Sequence, residues 1–264
     1  MAEEFMANGR IASGYAFDRP RLHKRVLAMA LKEDLSGGRF LHGLDVGCGA
    51  GLSAEALGRH CRKVTGVDIS QDMVTVARRR YPAPVYTFLT GSAEELAPAE
   101  DLYDIVTAAG VTNWLDEERF LENLGGVLHS GGMLLLYDFW ITDRMEGSAD
   151  YSAWWHKQYL RRFPIPVSGK GAGRREWSED RAALLGFALE RQESFVIPHS
   201  FEQEAFVRFM LLQSNVNARI GEAGEILEES RRWFDTTLTP VFQGEEKTLL
   251  FDGWYRRYIY HGSA

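Results

Sequence analysis

The chain predicts an α/β fold built on a doubly wound, mostly parallel sheet. Two observations carry this. Short apolar runs alternate with helix-period segments through residues 41–140, as βα repeats do. A glycine-rich turn, Gly47-Cys48-Gly49-Ala50-Gly51, joins the first apolar run to the first helical one. In open α/β sheets the crevice beyond such a strand's carboxyl end is where nucleotide-like ligands sit.

The elements follow in order. Pro20 suits a first helical turn, ahead of an apolar stripe at Leu22, Val26, Leu27, Ala30 and Leu31, with Gly37-Gly38 as its stop. The spacing then predicts strand 41–46, helix 52–59, strand 63–68, helix 70–80, strands 85–89 and 103–109, helix 116–129 and strand 133–139. Ser70 and Asp116 are N-cap candidates. The run Arg78-Arg79-Arg80 ends a helix, where cations complement the dipole, and reads as a solvated end. Beyond residue 140 the pattern gives an aromatic amphipathic helix over 151–163, a strand over 188–197, helices over 201–216 and 222–238, and a last strand over 248–260.

Composition narrows the function. The 264 residues carry a formal charge of −7, without the basic footprint of a dedicated nucleic-acid binder. Hydrophobic residues make up 45%, enough for a full core. The two cysteines, Cys48 and Cys61, have neither metal-site nor disulfide-framework spacing. No run approaches a membrane span, and the acidic opening Met1-Ala2-Glu3-Glu4 lacks an apolar signal core; a reduced, cytoplasmic setting is expected.

The turn departs from the dinucleotide pattern G-x-G-x-x-G, because the third glycine position falls on Leu52. Asp45, two residues before Gly47, would repel a pyrophosphate but not a ligand bearing an ammonium or sulfonium. Asp68 closes the second strand, where a carboxylate can accept from both ribose hydroxyls. Ribose, positive charge and no phosphate describe S-adenosylmethionine. The stretches LDVGCGAG, VTGVDIS, GSAEEL, DIVTAAGVTNWLD and LHSGGMLLLYDF, in that order, make residues 41–140 resemble a class I S-adenosylmethionine-dependent methyltransferase. The longer C-terminal part resembles, loosely, the trans-aconitate methyltransferase branch.

The resemblance implies a Rossmann-like sheet of seven strands, with an antiparallel strand near the C-terminus and helical insertions over the active-site edge. It implies an N-terminal helical cap (1–40), a cofactor-binding core (41–140) and a remainder (141–264) with acceptor-binding insertions near 141–180 and 201–245. As cofactor-binding residues it implies Asp45, Gly47, Cys48 and Gly49 of the turn, Asp68 for ribose, Ile69 and Met73 beside it, and Ser92 and Ala93 toward adenine. Ser92 stands where the family often has Asp. Ala109 leaves room for the methionine moiety, Trp114 walls the site, and Tyr15 and Arg19 fold over the cofactor, with Arg19 able to meet its carboxylate.

The function expected is methyl transfer by in-line displacement to a small-molecule acceptor, anionic or aromatic in character, with no metal, nucleic acid or membrane involved. The segment 161–175 holds five basic residues and no acid and would draw an anion; the helix aromatics would suit a planar acceptor. His156 is the candidate base, ahead of His199, Tyr15 and Tyr137. The alternatives are a nicotinamide-dependent oxidoreductase, a non-catalytic S-adenosylmethionine-binding protein, and aminopropyl transfer.

Overall fold

The computed structural model describes residues 9–32, 39–96, 101–165, 177–222 and 227–262. Helices α1 (Gly9–Phe17) and α2 (His23–Ala30) come first. The alternating core follows as β1 (Phe40–Val46), α3 (Leu52–Leu57), β2 (Cys61–Asp68), α4 (Gln71–Arg80), β3 (Tyr86–Thr90), β4 (Tyr103–Ala109), α5 (Glu117–Gly125) and β5 (Leu128–Met145). Then α6 (Ala149–Trp154) runs through a π-helical turn (Trp155–Tyr159) into α7 (Leu160–Arg162). The rest is α8 (Glu179–Leu184), β6 (Phe187–Phe201), α9 (Gln203–Met210), α10 (Ser214–Glu222), α11 (Leu227–Phe242) and β7 (Lys247–Tyr260).

The seven strands form one sheet in the order β3-β2-β1-β4-β5-β7-β6. β1 pairs in parallel with β2 and β4; β7 runs antiparallel between β5 and β6. The chain winds one way from β1 and the other way from β4, so the switch point lies between them. This is the predicted architecture, with the antiparallel partner in place.

Both anticipated caps form: Ser70 Oγ accepts from Met73 N and Asp116 Oδ1 from Arg119 N. The basic end of α4 is more than solvated. Arg78 donates Nε and Nη2 to Phe88 O at 2.9 and 2.7 Å, tying the helix to β3. Arg80 lies over the Phe17 ring at 4.6 Å. α5 ends at Gly125, short of the predicted 129, because β5 begins at Leu128. β5 outlasts its predicted end because β7 goes on pairing with it to Met145↔Leu249. The predicted helix 201–216 is two helices, and Asn217 Nδ2 donates to Leu211 O and Gln213 O across the break. α1 is an element that the sequence pattern did not reveal.

The aromatic stripe of 151–163 turns inward. Trp154 stacks with Tyr159 at 5.5 Å, and Phe163 with Phe234 of α11 at 5.3 Å. Tyr159 Oη donates to Asn215 Oδ1 at 2.9 Å, and Asn215 Nδ2 to Phe163 O at 2.7 Å. Trp154, Tyr159, Phe163 and Phe234 are buried, so these rings build helix-on-helix core. Most of the basic run 161–175 lies outside the described residues.

This packing makes a stability prediction. Phe234→Ala should cost about 3–5 kcal/mol through the cavity it leaves among stacked rings. Urea unfolding measures it; a loss under about 1 kcal/mol would mean that the cluster collapses around the gap.

Candidate active site

The glycine turn leaves β1 with three residues in left-handed backbone geometry: Gly47 at φ +63°, Gly49 at +51° and Gly51 at +89°. A Cβ on Gly47 would run into Val111, which closes one side of the turn. A Cβ on Gly49 would meet nothing within 4 Å. The open side of the turn is therefore at Gly49. Cys48 N donates to Val67 O at 3.1 Å, holding the turn against β2.

Beneath the turn sits Asp45, fully buried. Ser53 Oγ donates to its Oδ2 at 2.5 Å, and Thr107 Oγ1 to its Oδ1 at 2.7 Å. One carboxylate thus joins β1, α3 and β4. Burial pushes its pKa up to about 7, with Asp68 adding repulsion and the two hydroxyls working against the rise. This corrects the expected role: Asp45 is a bracket under the turn, its oxygens taken by hydroxyls. Cys48 is likewise turned inward, with burial raising its thiol pKa. Met73 is buried beneath α1 with Ala50, Ile11, Ala12 and Ala16.

Asp68 ends β2 beside the open face. Its Oδ2 accepts from Gly49 N and its Oδ1 from Ser70 N, both at 2.8 Å. Burial raises its pKa and these two donors lower it. A carboxylate offers about four acceptor positions, so two remain for hydroxyl donors. Ile69 is exposed beside it and Ala93 is buried nearby in sequence to Ser92, whose Oγ accepts from Glu94 N at 3.2 Å.

The cap supplies the other wall. α1 packs on Ala50 and Met73, which brings Tyr15 and Arg19 forward. The Arg19 guanidinium lies 4.1 Å from the Tyr15 ring centroid, and its Nε is buried without a hydrogen-bond partner. An unpartnered buried donor on a cation fits an anionic group such as an amino-acid carboxylate. His23 Nδ1 lies 2.9 Å from Tyr137 Oη. Burial and the Arg19 charge drive the His23 pKa down to about 3, so its ring is neutral.

The pairing of β4 with β5 stops at Ala109 and Tyr137, where Gly110 N (φ +66°) donates to Tyr137 O at 2.9 Å. Trp114 follows but is 70% exposed, so it walls no enclosed space. His156 is not brought to the turn. It is exposed on the π-helical turn, with Nε2 2.7 Å from Asp143 Oδ2. Asp143 lies six residues past Tyr137, about 20 Å along the strand. His199 lines an open cleft of about 460 Å³ with Phe17, Arg19, Arg21, Phe201 and Arg208, on the cap rather than at the glycine turn. Tyr137 is fully buried, and burial holds its hydroxyl well above the usual range.

A family model described as a methyltransferase domain matches residues 44–136, the stretch from β1 to β5 that carries these features. Residues 44–136 thus carry a methyltransferase domain. The methyltransferase domain is 38% identical over 93 residues to trans-aconitate 2-methyltransferase of Rhodopseudomonas palustris, covering 34% of this chain and 35% of that one. Nodulation protein S of Rhizobium tropici is 29% identical over 126 residues, covering 46% of this chain and 51% of the relative. The matched stretches thus span about half, or less, of the curated relatives' lengths. A type II methyltransferase candidate from Anaeromyxobacter dehalogenans has the same fold at TM-score 0.65 and 21% identity, over 93% of this chain and 97% of that one. The [4+2]-cyclase SpnF shares it at TM-score 0.53 and 18% identity, over 90% and 82%. Among the described residues, no helix is long and apolar enough to cross a membrane.

Several residues that shape this site were not read from the sequence. Ser53, Thr107 and Val111 act on Asp45 and Gly47 from neighbouring elements, and only the fold reveals that. His23 sits in an apolar helix pattern with nothing to mark it.

The raised Asp45 pKa has a signed consequence. Between the ordinary carboxylate value of 3.8 and about 7 the folded state holds a proton that the unfolded chain has released. Stability therefore falls as pH rises through that window. Asp45→Asn should gain on the wild type between pH 4 and 7 and hold a constant difference above 7. Urea melts across pH test this; a constant difference from pH 4 upward would contradict it.

Proposed function

We propose that this chain transfers the methyl group of S-adenosylmethionine to a small-molecule acceptor. The observation that carries this is the Asp68 carboxylate, with two acceptor positions spare, beside the empty side of Gly49. The open turn admits a ligand edge that any side chain would block. Asp68 would take the ribose hydroxyls. The unpartnered Nε of Arg19 would take the amino-acid carboxylate, held in place by the Tyr15 ring. The Asp68 carboxylate at the open face opposes a pyrophosphate there, which disfavours a nicotinamide dinucleotide.

When bound, the cofactor supplies a methyl group already activated on a sulfonium. The chain's own work is then positioning and exclusion of water. α1, packed on Ala50 and Met73, covers the turn. The end of β4, beside Tyr137 of β5, would border the side on which an acceptor approaches. The trans-aconitate relative is named for a small acceptor, which supports that class here. The inward aromatic stripe gives no support to a planar acceptor.

Calorimetric titration with S-adenosylhomocysteine tests the reading. The wild type should bind it, and Asp68→Ala should weaken binding by about 100-fold through loss of two hydrogen bonds to a charged acceptor. Binding of NADH in its place would overturn the proposal. For Arg19→Ala, the expected loss is about tenfold or more, for one charge-assisted contact; unchanged affinity would remove Arg19 from the site.

A further inference from the structure

Asp138 is the first residue of β5 beyond its pairing with β4. Its Oδ1 accepts from Phe139 N at 2.7 Å, a bond to the adjacent residue. It takes part in none of the ion pairs found among the described residues. The side chain stands over the end of β4: a Cβ built on Gly110 would lie 3.2 Å from Oδ1. Burial raises the Asp138 pKa, and the Arg19 charge works against the rise. A half-buried carboxylate with spare acceptor capacity costs stability that folding does not recover. No contact it makes explains its presence by packing.

Its place in the sheet says what it could meet. From Asp68 on β2 the order runs through β1 and β4 to β5, three strand spacings or about 14 Å. An adenosyl ligand held by its ribose at β2 and by Arg19 at the cap lies between, across the glycine turn. Asp138 is then on the far side, where the second reactant must come. Three other titratable groups are disfavoured as proton acceptors by their settings. Tyr137 is fully buried, His23 is engaged with Tyr137, and His156 lies down the strand with Asp143.

We propose that Asp138 faces the acceptor and takes the proton that its nucleophilic atom loses on methylation. The inference rests on the function proposed above. In the balanced step a bond forms between the acceptor's nitrogen or oxygen and the methyl carbon. The carbon–sulfur bond breaks, and its electron pair stays on sulfur. The acceptor's proton passes to an Asp138 oxygen, and later to water. The acceptor class is thereby narrowed to nucleophiles that lose a proton on methylation, amine N–H or hydroxyl O–H among them, and thioethers are excluded.

The test needs no acceptor. Sinefungin carries an amine-bearing carbon where S-adenosylmethionine has its methylated sulfur, so its ammonium marks the transfer position. By calorimetry the wild type should bind sinefungin about tenfold or more tighter than S-adenosylhomocysteine, through one charge-assisted hydrogen bond. Asp138→Asn should erase that preference and leave S-adenosylhomocysteine affinity unchanged. A wild type with no preference, or a preference that survives Asp138→Asn, overturns the assignment. The wild-type comparison requires no variant and decides alone if Asp138→Asn does not fold. If neither compound binds the wild type, the proposed function itself fails and the assignment falls with it; binding of both without preference removes Asp138 only.

Discussion

The structure depends on one buried carboxylate. Asp45 receives Ser53 from α3 and Thr107 from β4, so the strand that enters the glycine turn, the helix that leaves it and the strand across the switch point share one anchor. The turn above it has three residues in left-handed geometry. Such a turn keeps its shape only if its two ends are fixed. A buried polar group is costly unless satisfied, and here two hydroxyls satisfy it. The anchor that keeps the turn open is thus itself titratable close to neutrality, since burial outweighs the hydroxyl bonds.

From this anchor the remaining parts follow in layers. With the turn fixed, Gly49 N can reach Asp68, and Asp68 can be oriented by Ser70 N at the start of α4. With α4 placed, Met73 offers an apolar seat for α1. With α1 seated, Arg19 stands beside Tyr15, its Nε unpartnered, over the carboxyl edge of the sheet. Each step is local, and together they place two charges, Asp68 and Arg19, at the crevice. The C-terminal helices contribute differently. Their aromatic rings pack on one another and stiffen the layer on the same face as α2 and α3.

Much of this was legible in the chain itself. Alternating apolar runs located all seven strands, because a parallel sheet covered on both faces needs near-continuous apolar stretches. Asp68 was legible because a strand-tip acid after a glycine turn has few structural uses. Long-range contacts were not legible. Asp45 reads as a ligand-facing charge from its place before the turn, yet Ser53 and Thr107, 8 and 62 residues away, turn it into a bracket. His156 reads as a base on an aromatic helix, but β5 extends past the sheet edge and carries Asp143, and with it His156, away. α1 was missed because its apolar face is only Ile11, Ala12 and Ala16, too short a stripe to stand out. Asp138 was missed because the strand reads as ending around it, with no sign that β4 stops one residue earlier in register.

The central claim is that the open side of the glycine turn is where the cofactor sits. Hydrogen–deuterium exchange of the full chain with and without S-adenosylhomocysteine tests it most directly. The account predicts slowed exchange at residues 47–51 and 68–73 and over α1, where ligand and cap together close the turn. Protection confined to the cleft around His199, Phe201 and Arg208, with the glycine turn unchanged, would contradict it.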